Sequence, residues 1–152
     1  MKTLNEWLDL YSVSHQNPTN KLVHKICVPV ITFTVFGFFW CIPVPDFMSF
    51  HPYFNWATLF GIFTLVFYAR LSMLLLLLMS IKVAVMLYLC QFFASVTDLF
   101  YLSLILFLVA WIGQFWGHKI EGKKPSFFQD LQFLLIGPIW VVKAITGFPK
   151  TK

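Results

Sequence analysis

Residues 72–93 run for 22 positions with a single charge, Lys82. A helix that is apolar on every side needs apolar cover on every side, from protein or from lipid. About 20 such residues are enough to cross the hydrocarbon core of a bilayer. Further apolar runs lie at roughly 26–42, 55–69 and 99–116, and another at 131–148 is interrupted by Gly137-Pro138. Composition removes the water-soluble alternative. The chain is 59% hydrophobic and only 11% charged, where soluble domains carry about 25% charged residues. The expectation is an all-α integral membrane protein with about four transmembrane helices. An N-terminal amphipathic helix and a C-terminal broken re-entrant or interfacial segment complete it, and residues 1–152 form a single domain.

Local signals divide the chain. Leu4, Trp7, Leu8 and Tyr11 recur at helical spacing, with Lys2, Glu6 and Asp9 on the other face. Thr3 and Glu6 have the spacing of a capping box. This predicts a short helix lying on the membrane surface or on the protein's own core, with Trp7 and Tyr11 suited to the interface. Asn17-Pro18 predicts a break after it. Pro29 fits the first turn of a span over 26–42, and Pro43, Pro45 and Asp46 end that span. Residues 55–93 are read as two spans with a tight turn at 68–72. One straight helix of that length would extend about 58 Å, well beyond one bilayer. A loop at Ser95-Val96-Thr97-Asp98 precedes the fourth span.

The net charge of +5 is a matter of topology rather than of nucleic-acid binding. Lys2, Lys21 and Lys25 precede the first span, Arg70 follows the second, and Lys119, Lys123 and Lys124 follow the fourth. Lys150 and Lys152 end the sequence, while the opposite loops carry Asp46 and Asp98 and no basic residue. Four crossings with both termini in the cytoplasm place every basic loop on the cytoplasmic side. The expected location is the bacterial inner membrane, or the endoplasmic reticulum membrane in a eukaryotic cell. Cys27, Cys41 and Cys90 form no CxxC pair and read as small buried hydrophobes. No signal-peptide cleavage pattern follows the first apolar run. Lys82 is equally a functional mid-membrane cation and a snorkelling one.

Two polar islands remain. One holds His15 and His24, and the other holds His118 and Glu121. The topology above puts all four on the cytoplasmic side and His51 on the other. His15 and His24 would face opposite ways on a continuous helix, and the turn at Asn17-Pro18 lets them converge. His118 and Glu121 share a face if the fourth helix continues that far. Imidazoles with a carboxylate suit iron(II), manganese or zinc. The spacing is equally that of interfacial histidines beside an ordinary charged loop. HExxH, Gly-rich nucleotide loops and a serine-hydrolase elbow are absent. A small transporter using Lys82, a structural or partner-binding membrane protein, and a haem protein using two histidines are the competing readings.

Tyr11 to His24 reads Y-x3-H-x4-N-x3-H with a proline in the gap. Trp111 to Pro125 reads W-I-G-Q-F-W-G-H-K-I-E-G-K-K-P, and Asp130-Leu131-Gln132, Leu134-Leu135 and Gly137-Pro138 follow. With these motifs the chain resembles the Mpo1-like family over nearly its full length. Cys27 stands where many relatives have glycine two residues before the proline at Pro29. The resemblance implies an iron(II)-dependent dioxygenase that cleaves long-chain 2-hydroxy fatty acids with O2, giving the acid one carbon shorter. It maps the family's metal and catalytic residues onto His15, His24, His118 and Glu121, with Fe(2+) as cofactor and Glu121 either a ligand or a hydrogen-bonding support. Asn20, Lys21, Lys25, Lys119 and Lys123 are the expected substrate-binding residues, the lysines supplying a positive field for a fatty carboxylate.

Overall fold

The computed structural model describes residues 3–13, 15–122, 133 and 135–147. Among these the protein is all-helical: α1 (Leu4–Ser12), α2 (Pro18–Trp40), α3 (Trp56–Ala69), α4 (Met73–Val96), α5 (Leu99–Glu121) and α6 (Ile136–Thr146), with a 3-10 turn at Asp46–Met48. Three of them, α2, α4 and α5, are long and apolar enough to cross a membrane, and α3 and α6 are shorter apolar helices. Contacts group into two compact units, residues 1–32 with 108–152, and residues 33–107.

The second unit is built on α3 and α4. Asn55 starts α3, its Oδ1 accepting from Thr58 N at 3.1 Å. Arg70 ends it, so the break at 70–72 separates two helices as the length argument requires. Phe33, Phe36, Ala57, Met86, Cys90 and Leu99 are buried together as a core. The outer face of α4 is a stripe of exposed apolar side chains, Leu74, Leu77, Ile81, Val85, Tyr88 and Phe92, spaced three or four residues apart. A one-sided apolar stripe of that length is what a lipid-facing helix presents. Asp98 opens α5, its Oδ1 accepting from Phe100 N and Tyr101 N at 3.0 and 3.2 Å.

The first unit positions the polar islands. Thr3 and Glu6 form the predicted capping box, with Glu6 N to Thr3 Oγ1 at 3.3 Å and Thr3 N to Glu6 Oε2 at 2.6 Å. Leu8 and Tyr11 are buried and α1 packs on α6. Asn17 and Pro18 then act as helix starters rather than as part of a longer turn. Asn17 Oδ1 accepts from Thr19 N at 2.9 Å, and Lys21 N reaches Asn17 O at 3.0 Å. Pro18, which has no N–H to satisfy, takes the first helical position. So α2 begins eight residues before the expected span and His24 sits on it. Pro29 falls in its interior, where it leaves the Lys25 carbonyl without its usual helical donor. Gly137-Pro138 fall in the first turn of α6, a place that tolerates proline. Gly147, with φ 71°, closes α6 in the left-handed conformation.

Candidate metal centre

His15 lies on the link between α1 and α2, His24 on α2, and His118 on the last turn of α5. Their exposures are 2%, 2% and 4%, so the three rings are effectively out of solvent. One potential ligand atom from each comes within 4.8 Å of the other two, the one such group among the described residues. Ring centroids are 4.2 Å apart for His15 and His24, 5.0 Å for His24 and His118, and 5.6 Å for His15 and His118.

Local backbone geometry orients two of the rings. His15 Nδ1 lies 2.5 Å from Tyr11 O, and His24 Nδ1 lies 3.0 Å from Asn20 O. A carbonyl only accepts, so each Nδ1 carries the proton and each Nε2 keeps its lone pair. That is the arrangement by which metal-binding imidazoles are commonly held. Tyr11 stacks on His15 with centroids 4.1 Å apart and planes 1° from parallel, and Trp140 of α6 lies against the same ring at 5.4 Å.

His118 reaches the other two because α5 approaches α2 closely. A Cβ on Gly117 would collide with Asn20 Oδ1, and one on Gly113 would come within 2.9 Å of Cys27 Sγ. These glycines, four apart, form the small-residue seam that lets membrane helices pack backbone to backbone. Gly137 does the same for α6, where a Cβ would sit 3.2 Å from Val28 Cγ1.

Glu121 is directed at the link rather than outward. Its Oε1 accepts from Gln16 N at 2.8 Å, and its Oε2 accepts from Asn17 N at 2.9 Å and Asn20 Nδ2 at 3.0 Å. The carboxylate thus closes the start of α2, where the free N–H groups and helix dipole favour an anion.

Among the described residues, spaces open on both the His15 and the His24 side. On the His15 side is a cleft of about 450 Å³ whose lining includes Lys21, Lys25, Lys143 and Trp140. On the His24 side is a cavity of about 40 Å³ whose lining is largely apolar. Of the expected substrate-binding residues, Lys21 and Lys25 line the cleft. Asn20 is fully buried, its amide committed to Glu121. Lys119 is exposed on α5 and is not among the cleft residues, and Lys123 lies outside the described residues. His51 belongs to the other unit and its Nδ1 accepts from Tyr53 N at 3.2 Å. Sequence reasoning missed Lys143 and Trp140 as neighbours of this site. Lys143 was visible only as one charge in an apolar run, because a contact between distant helices leaves no local pattern.

The family model described as 2-hydroxy-palmitic acid dioxygenase Mpo1-like matches residues 1–148. The chain belongs to the Mpo1-like family. It matches no curated protein and no solved structure. In this Mpo1-like chain the donor set suits a divalent transition metal: three imidazoles, buried, close together, two with their tautomer set by carbonyls.

Proposed function

We propose that this membrane protein is an iron(II)-dependent dioxygenase that converts 2-hydroxy fatty acids to acids one carbon shorter. The observation that supports it most is the convergence of His15, His24 and His118 beside a cleft edged by lysines. The overall change is balanced with O2 as the only co-reactant. The C1–C2 bond breaks, C1 leaves as CO2, C2 becomes the new carboxyl carbon, and one water forms. The acid gives up four electrons, which O2 takes. Iron(II) held by the three imidazoles would supply the redox chemistry for O2 and open positions for the carboxylate and 2-hydroxyl of the acid.

The chain's own residues do the rest. Lys21, Lys25 and Lys143 draw the carboxylate into the cleft and hold it near His15. Tyr11 and Trp140 pack around the His15 ring and keep bulk water away from it. Glu121 is a positioning residue that fixes the link carrying His15 against α5. Asn20 serves the same clamp, donating to Glu121 from its side chain and accepting from His24 Nδ1 with its carbonyl. Lys119, exposed near the end of α5, adds to the positive field. The acyl tail lies along the apolar helices, in contact with lipid.

A mass-spectrometric product assay on detergent-purified protein tests this, run with and without iron(II) and O2 alongside metal analysis. The expected result is a product one carbon shorter that requires both. His15→Ala, His24→Ala and His118→Ala should each weaken metal binding by at least the roughly 10–100-fold that loss of a supporting partner costs. Equal turnover in metal-free, anaerobic protein would refute the reading, as would full metal retention in the folded His15→Ala and His118→Ala variants.

A further inference from the structure

Gln114 lies on α5 one helical turn before His118. It is 6% exposed. Its side chain makes no hydrogen bond to a described residue, and its amide atoms are not among the polar atoms sealed away without a partner. It faces the cavity of about 40 Å³ whose other described walls are His24, Tyr11, Trp111 and the apolar side chains of Val28, Ile31 and Phe133. An amide on a buried side chain that bonds no protein group is uncommon, and it keeps its hydration only through the space it faces. Here the amide looks into a space that already adjoins a candidate metal ligand.

The size of that space limits its occupant. One water needs about 10–15 Å³ by this measure, so 40 Å³ admits a few heavy atoms and no acyl chain. An amide offers two donors and an acceptor together, which matches a hydroxyl, itself donor and acceptor. Among the described residues of its walls, Tyr11, His24 and the indole N–H of Trp111 are the further polar groups. The lysines line the His15 cleft instead. One candidate ligand lines each space: His15 the cationic cleft suited to a carboxylate, and His24 the small cavity suited to a neutral polar substituent on the next carbon.

We propose that Gln114 hydrogen-bonds the 2-hydroxyl group of the acid and sets the preference for 2-hydroxylated over unsubstituted acids. This rests on the 2-hydroxy acid reading above and names the residue that enforces it. A site built to bond a hydroxyl rejects the analogue lacking it, because the buried amide is then left unpaired again. Gln114 is outside the proposed ligand set, so its replacement leaves metal content intact.

The test uses full-length purified protein loaded with zinc, which binds the same donors but does not turn over. Affinities for 2-hydroxypalmitate and palmitate are measured at equilibrium for wild type and Gln114→Leu, a change close in size and without polar atoms. The wild type should prefer the hydroxy acid, and Gln114→Leu should lose about tenfold of that preference, the worth of one ordinary hydrogen bond. Palmitate affinity and zinc content should not change. The ligand-free variant should unfold at about the same temperature as wild type, because the amide bonds no described protein group. A preference unaltered by the substitution, or an equal loss for both acids, would overturn the proposal. So would a variant that unfolds well below wild type, which would mark the amide as structural.

Iron-loaded turnover of 2-hydroxypalmitate by wild type is measured separately. Turnover with a preference independent of Gln114 overturns this inference alone. A Gln114-dependent preference without turnover keeps the hydroxyl contact and overturns the dioxygenase reading.

Discussion

Both carboxylate oxygens of Glu121 accept hydrogen bonds from the chain around Asn17, and that decides what a change there should do. In Glu121→Gln one oxygen becomes an NH2 group, which cannot accept from the backbone N–H groups of Gln16 or Asn17. The charge that complements the start of α2 is lost as well. Hydrogen bonds to a charged group contribute roughly 1.5–3 kcal/mol each. The expected outcome is a link between α1 and α2 that is looser, with His15 less well placed. Metal affinity should fall by roughly 10–100-fold while saturating iron still binds. Titration of metal-free protein with a competing chelator measures this. Loss of binding even at saturating iron would make Glu121 a direct ligand instead. Glu121 could be read from the sequence as part of a site, since it stands three residues after His118. Its direction toward Asn17 could not, because the partner lies more than a hundred residues away and leaves no spacing signal.

At the scale of the helix, the seam between α2 and α5 is the test case. Gly117→Ala places a methyl group against the Asn20 side chain, which is itself held by Glu121. The helices must separate or Asn20 must release the carboxylate. The cost is about 1–3 kcal/mol for overpacking, accompanied by loss of metal because His118 is the next residue. Gly122→Ala is the control. A Cβ there meets nothing within 4 Å, and the strain of φ 72° alone should lower the unfolding temperature while leaving metal content unchanged. Thermal unfolding and metal analysis of the two variants separate the cases. If Gly117→Ala kept its metal and its stability, the seam would not be what brings His118 to the other histidines.

Element boundaries show what was legible. The start of α3 at Asn55 and the capping box of α1 follow from local rules and the break within 68–72 from helix length, and the structure has all three. The start of α2 was misjudged because Asn20, Lys21, His24 and Lys25 look like a loop when hydropathy is the guide. They are polar because they face the site and the cleft, not because the helix has yet to begin. Pro29 was placed in a first turn by the same error. The end of α5 depended on whether the helix ran on past Trp116, and it does, to Glu121.

For the molecule as a whole, the distribution of charge makes a prediction that the helices alone do not. Three helices are long and apolar enough to cross a bilayer, and we take α3, of 14 residues, as a fourth and tilted or locally thinned crossing. The basic residues then call for both termini and the histidines on the cytoplasmic side. In a background lacking Cys27, Cys41 and Cys90, single cysteines at positions 5 and 119 should react with an impermeant reagent from the same side, and one at 47 from the other. Position 5 reacting from the opposite side to position 119 would break the topology and the site together.

The clamp has a consequence for how the protein comes into being. Gln16 and Glu121 are 105 residues apart in the chain. At roughly 5–20 residues per second of synthesis, the first histidine waits about 5–20 s for the carboxylate that fixes it. Through that interval α2 can already reside in the bilayer, while the segment carrying His15 has no anchor at its far side. The three-histidine site is thus incomplete until most of the chain has left the ribosome. Arrival of the last turn of α5 completes the cluster of three histidines and ties down the turn in the same event.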